Sequence, residues 1–140
     1  MNRLAASGLA LLAALAAAAP AAAFTVALSK RDCGCEGGEG PQDKAGWEKA
    51  DWRWRDDGSL EIQVWDTEHP GTDYIDVTRP LADLTGDELV LATTTRDIPP
   101  PADGMVMSCL STVRLTFVIS GLPRGRYVVQ ASRARRFTVE

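Results

Sequence analysis

Three cysteines carry the most reactive side chains of this chain: Cys33, Cys35 and Cys109. Outside a reducing cytosol thiols tend to pair, and an odd count leaves one over. Cys33 and Cys35 flank a single glycine, so a bridge between them would close a small, strained ring. The expected bridge joins Cys33 or Cys35 to Cys109, and the spacing does not choose between the two. Such a bond closes a loop of about 75 residues and contributes roughly 3–4 kcal/mol in the chain-entropy account. The competing chemistry is a soft-metal site. Met105, Met107 and Cys109 share one parity, Cys33 and Cys35 can swing against them, and thiolate plus thioether selects Cu(I). The single histidine, His69, would join only if its loop folded over. Two methionines of inward parity are more often core filler. A redox role is disfavoured, because the two-residue spacing of thiol oxidoreductases is absent.

Two other groups of residues can bind. Trp47, Trp52, Trp54 and Trp65 fall within 19 residues. Around Asp56-Asp57-Gly58, a two-residue turn would put the flanking apolar sets on opposite faces. A three-residue loop with Gly58 left-handed pairs Trp54 with Leu60 and Trp52 with Ile62, so every apolar residue shares one face. That register sends Trp52 and Trp54 to the core. It leaves Arg53, Arg55, Glu61, Gln63 and Trp65 on the outer face as the candidate binding residues, with Trp47 beside them. Exposed rings on a flat sheet stack on sugars or grip a partner; the competing reading is that another segment covers Trp65. The second group is acidic: Asp66, Glu68, His69, Asp73 and Asp76. Oxygen ligands in a loop suit Ca²⁺, but the EF-hand spacing is missing and a solvated acidic loop explains them as well. His69 beside carboxylates could serve as a general base, yet no Ser or Cys nucleophile is placed near it, so no hydrolase is assigned and the chain is read as non-catalytic.

The elements that must position these groups follow from the pattern of the chain. Arg3, the apolar run from Leu4 to Ala19, Pro20 and Ala21-Ala22-Ala23 read as an export signal over 1–23. The apolar run is short for a membrane span and lacks a charged stop. Residues 24–140 are then one exported domain, periplasmic or secreted, with no membrane span after cleavage. All 19 acidic residues lie in this part and the whole chain carries a net charge of −4, which excludes nucleic acid as a partner because phosphate binding needs a basic stripe. Alternation over Phe24–Ser29 predicts a first strand, and 30–46 reads as a Cys/Gly-rich loop. Residues 73–78 predict a short strand ended by Pro80, and 87–95 another. Period two runs from Met105 to Ile119, with a break expected near Ser111. Tyr127 and Val129 alternate inward, and Phe137 and Val139 close the chain. The count is about eight short strands with turn signals every ten residues or so, which indicates an all-β, antiparallel β-sandwich.

The stretch Phe117-Val118-Ile119-Ser120-Gly121-Leu122-Pro123-Arg124-Gly125-Arg126-Tyr127-Val128-Val129 resembles the Gly-Leu-Pro-x-Gly-x-Tyr-x-Val hairpin of bacterial prealbumin-like sandwiches, the carboxypeptidase-regulatory-like modules. Pro123 presets the turn, Gly125 tolerates positive φ and Tyr127 packs under the connection. The resemblance covers 13 residues and implies a structural or binding module. The combined reading is an exported sandwich that binds an envelope protein or a surface glycan, without a cofactor. The alternative is a copper-binding protein using Cys33, Cys35, Cys109 and Met105 or Met107.

Overall fold

The computed structural model describes residues 23–35, 39–69, 73–99, 102–104 and 109–140. Of the stretch 1–23 expected to be an export signal, all but Ala23 lies outside them, as do Met105 and Met107. The described residues form two facing sheets. The first has the order β1 (Thr25–Asp32), β6 (Ser111–Ser120), β3 (Leu60–Glu68), β2 (Asp51–Trp54); the second runs β4 (Asp73–Thr85), β5 (Glu88–Asp97), β7 (Tyr127–Ala131), β8 (Phe137–Val139). One short helix, α1 (Lys44–Trp47), lies between β1 and β2. This is the expected all-β sandwich, except that β5 and β7 pair in parallel.

Period-two alternation builds the core. Val113, Leu115, Phe117 and Ile119 of β6 and Leu60, Ile62 and Val64 of β3 are fully buried against Leu89, Val129 and Val139 of the opposite sheet. Each such side chain contributes about 1.5–3 kcal/mol on leaving water, and side chains from two facing sheets interdigitate as in other sandwiches. The Asp56-Asp57-Gly58 loop has the expected form. Trp54 pairs with Leu60 and Trp52 with Ile62, Gly58 has φ 81°, and Arg55 N–H donates to Ser59 O at 2.8 Å.

Five expectations are corrected. The strand β1 runs through Lys30 and Arg31 to Asp32, so the loop begins at Cys33 rather than at residue 30. Those charged residues look like loop in sequence, but Lys30 has a buried acceptor: its Nζ reaches Glu68 Oε2 at 2.6 Å. Glu68 also accepts Ile75 N–H at 2.9 Å, so one carboxylate ties β1 and β3 to β4. Second, the 30–46 stretch is not all loop, because α1 begins at Lys44. Third, Pro80 does not end a strand. The strand β4 is the edge of its sheet, and the register shift between Asp76 and Leu81 absorbs the missing N–H. Fourth, Trp52 is not core: it is 39% exposed. Its parity is inward, but β2 is the outermost strand of its sheet, and only Trp54 packs against the core. Fifth, the glycine with positive φ in the β6–β7 connection is Gly121, at φ 84°, where a Cβ would stand 3.1 Å from Ala23 O; Gly125 is not in the left-handed region. Tyr127 does pack under that connection, with its hydroxyl donating to Pro123 O at 2.6 Å.

Candidate binding face

The strand register places side chains on the outer face of the first sheet as a grid. Ser29, Thr116, Gln63 and Asp51 stand side by side across β1, β6, β3 and β2, and the adjoining row is Arg31, Arg114 and Trp65. Arg53 and Glu61 pair one row further on. The structure therefore gathers all five expected residues on this side. Arg53 grips Glu61 with two prongs, Nε to Oε1 at 3.0 Å and Nη2 to Oε2 at 3.3 Å. Arg55 approaches the same carboxylate at 3.9 Å.

The residue that organises the face is Arg114, which the sequence reading did not single out. Its guanidinium carbon sits 4.7 Å from the Trp65 ring centroid. Its Nη2 donates to Asp51 Oδ2 at 2.5 Å and to Gln63 Oε1 at 3.4 Å. The arginine side chain is only 13% exposed. Burial alone would push the Asp51 carboxyl up, but hydrogen bonds from Arg114 and Lys49 outweigh it and hold the group below its ordinary 3.8. Two signals could have identified Arg114: its even parity on β6, and its place one strand from Trp65.

A strap over residues 39–49 rests along this face. Gly40 lies so close to the sheet that a Cβ there would stand 2.8 Å from Thr112 Cγ2, and one on Gly46 would stand 2.8 Å from Pro41 Cβ. Asp43 caps α1 by accepting Gly46 N–H at 2.8 Å. At the far end Arg135 N–H donates to Glu48 O at 2.8 Å, and the Arg133 guanidinium lies over the Trp47 ring at 5.7 Å. Trp65 is thus partly covered, by Arg114 and by the strap. Between strap and sheet is an open depression of about 430 Å³ that touches Arg31, Gly40, Pro41, Trp65 and Arg114. A second, of about 290 Å³, lies against Trp52, Arg53, Glu61 and Gln63.

No protein-family model, characterised protein or solved structure matches this chain.

The remaining expected groups lie elsewhere. Cys35 is the partner of Cys109, with Cα atoms 5.7 Å apart. Cys33 stays a partly exposed thiol whose Sγ donates to Arg31 O at 3.6 Å. The ladder runs up to the bridge: Cys33 N–H donates to Thr112 O at 2.8 Å and Thr112 N–H to Gly34 O at 3.1 Å. Asp32 accepts Ser111 Oγ at 2.6 Å and Gly34 N–H at 2.8 Å, and these two bonds, the serine first, lower its pKa. Of the copper alternative, Cys35 and Cys109 are bonded to each other and Met105 and Met107 lie outside the described residues.

Among the described residues, Asp66, Glu68 and Asp76 do not gather into one site; each has its own partners. Glu68 holds Lys30, Asp66 takes the Ser132 hydroxyl and Arg133, and Asp76 takes Thr78 and Arg79. No three His, Cys, Asp or Glu side chains converge among the described residues. His69 is exposed. No helix among the described residues is long and apolar enough to cross a membrane.

Proposed function

We propose that this chain is an exported, non-catalytic binding module that docks a protein partner of the cell envelope through the outer face of its first sheet. The observation that carries this reading is the Trp65–Arg114 pair at the centre of a face lined by open depressions. Trp and Arg are the residues that most often dominate protein–protein contacts. The depressions suit a macromolecule laid across the face. Small-molecule sites are usually concave and enclose most of their ligand. A protein partner is favoured over a glycan because sugar rings stack on a free aromatic face, and Arg114 already lies over Trp65. Export is supported by the apolar run before residue 24 and by a disulfide between Cys35 and Cys109.

Photo-crosslinking in the intact envelope tests this. A photoreactive side chain at Arg53, which is 69% exposed, should give covalent adducts with a polypeptide. The same group at Val90, on the outer face of the other sheet, should give none. Adducts from both positions alike, or from neither, would refute the reading; adducts that resist proteases would reassign the partner to a glycan.

A further inference from the structure

We infer that the cross-strand pair Arg31–Arg114 forms an oxyanion site, and that the group it takes is a carboxylate from an acidic segment of the partner. The inference rests on reading this face as the contact surface, and it names the chemistry recognised there.

The first observation is the register. Arg31 and Arg114 are direct Cα partners on β1 and β6, both on the outer face. Directly opposite residues of antiparallel strands have Cβ atoms about 5 Å apart, and like charges there destabilise the pair. A chain with 19 acidic residues against 15 basic ones has no shortage of carboxylates with which to interleave its cations. Here two arginines are direct neighbours across the strands, Arg114 paired with Asp51 and Arg31 more loosely with Glu39.

The second observation is what surrounds them. A depression of about 280 Å³ is lined by Ser29, Lys30, Arg31, Gln63, Arg114 and Thr116. Each of these six side chains can donate a hydrogen bond, and none of the described lining residues is a carboxylate. Lys30 turns its Nζ inward to Glu68, so the charge facing the depression comes from the two arginines. Ser29, Thr116 and Gln63 form the neighbouring row of the grid, which ends in Asp51 on β2; the first three supply hydroxyl and amide groups, and Asp51 is the carboxylate that already holds Arg114.

The third observation is preorganisation. Arg114 is held by Asp51 and by the Trp65 ring and is mostly out of water. Its fork is therefore fixed before any ligand arrives, which lowers the ordering cost of binding. Arg31 is the adjustable half. Among the described residues its ion-pair partner is Glu39 at 3.5 Å, with both side chains well exposed at 67% and 80%. An exposed pair of that kind contributes little, so an incoming carboxylate can displace Glu39 and be bridged by the two guanidiniums. Planar forks match carboxylates in a two-pronged manner. Carboxylates of the chain more than about 8 Å away are screened at physiological salt; the nearby ones are Asp51, which holds Arg114, and Glu39, which the incoming group displaces from Arg31.

The test uses the folded, oxidised protein and amide chemical shifts of β1, β3 and β6. The probes are a triglutamate peptide, a trilysine peptide, glucuronate and inorganic phosphate. The expected result is saturable shifts at Arg31, Arg114 and Thr116 with triglutamate and none with trilysine. Arg31→Ala should weaken triglutamate binding about tenfold; Arg31 is exposed, so the fold survives the change. Arg31→Lys should restore only part, since the ammonium lacks the fork. Absence of saturable shifts with triglutamate, or unchanged affinity in Arg31→Ala, overturns the site. Saturation by glucuronate or phosphate without triglutamate overturns the assignment to an acidic peptide. The crosslinking from Arg53 is read separately. A failure there with intact triglutamate binding removes the partner reading and leaves the oxyanion site standing.

Discussion

The two outer faces of the sandwich are built from the same alternation and are chemically unlike. On the first sheet, outward positions carry Arg31, Arg53, Glu61, Gln63, Trp65 and Arg114, with Arg53 paired to Glu61 and Arg114 bound to Gln63 and lying over Trp65, and the 39–49 strap rests along part of the face. On the second, outward positions mix Leu81, Val90, Ala92 and Val128 with Asp83, Glu88, Thr94, Gln130 and Thr138, and Glu88 pairs with Arg136 at 2.7 Å. Leu81 is 53% and Val90 38% exposed. The core beneath both faces is equally dry, so folding does not demand this difference. Exposed ion pairs add little stability, whereas arranged charges set orientation and specificity in a complex. Singly exposed aliphatic residues are normal on any surface. The difference between the faces is therefore the Trp65–Arg114 pair and the strap beside it, and the proposed contact surface rests on those.

The largest expected break in this asymmetry comes from the bridge that anchors the strap. Cys109→Ser removes the Cys35–Cys109 bond without freeing Cys109 to pair with Cys33. It should lower unfolding free energy by roughly 3–4 kcal/mol. Hydrogen exchange should quicken in residues 39–49 and at Thr112 well before it quickens at Leu89 or Leu91. Equal quickening on both sheets would show that the bridge stabilises the sandwich as a whole and does not act through the strap. A smaller effect follows from Gly40→Ala, whose Cβ meets Thr112 Cγ2 at 2.8 Å. Relief requires the strap to lift, at a cost of about 1–3 kcal/mol. Thr112→Ser, which removes that methyl carbon, should recover most of the loss; no recovery would place the strain elsewhere.

Legibility in the sequence divides along similar lines. The hairpin register was readable because Gly58 and the shared parity of Trp54, Leu60 and Ile62 allow only one loop length to keep the apolar set together. The outward set Arg53, Glu61, Gln63 and Trp65 followed from it. What local pattern does not encode is which strand lies at an edge. For that reason the sequence reading puts Trp52 in the core and Pro80 at a strand end, whereas the order β1-β6-β3-β2 leaves Trp52 at the rim and the order β4-β5-β7-β8 puts Pro80 on an outer strand. The choice of Cys35 over Cys33 was equally closed to spacing, because it depends on a ladder that continues past β1 to Thr112. Arg114 was overlooked because its significance is a cross-strand relation, to Arg31 on one side and Trp65 on the other.

Acid should sharpen the comparison further. The Asp51 and Asp32 carboxyls lie below their ordinary 3.8 in the folded chain. A depressed folded pKa means that the stabilisation is present above the unfolded value and is lost as pH falls through the folded one. Stability should therefore be flat down to about pH 4 and decline below it. Asp51→Asn should reduce the steepness of that decline. An unchanged acid limb in Asp51→Asn would show that the Asp51–Arg114 pair adds nothing to stability and that Arg114 is held by Trp65 and Gln63.

The smallest expected effect is also the control for the rest. Val90→Thr on the second face keeps the branched shape that suits a strand and replaces a methyl already 38% exposed. Unfolding free energy should change by less than about 0.5 kcal/mol, and triglutamate binding and crosslinking from Arg53 should be untouched. Arg114→Met sets the opposite limit. It keeps a flexible stem against Trp65 but removes the charge from Asp51, so it should cost about 1 kcal/mol while abolishing triglutamate binding. If Val90→Thr disturbed binding as much as Arg114→Met, recognition would not belong to the charged face, because the only link between the two positions is the core they share.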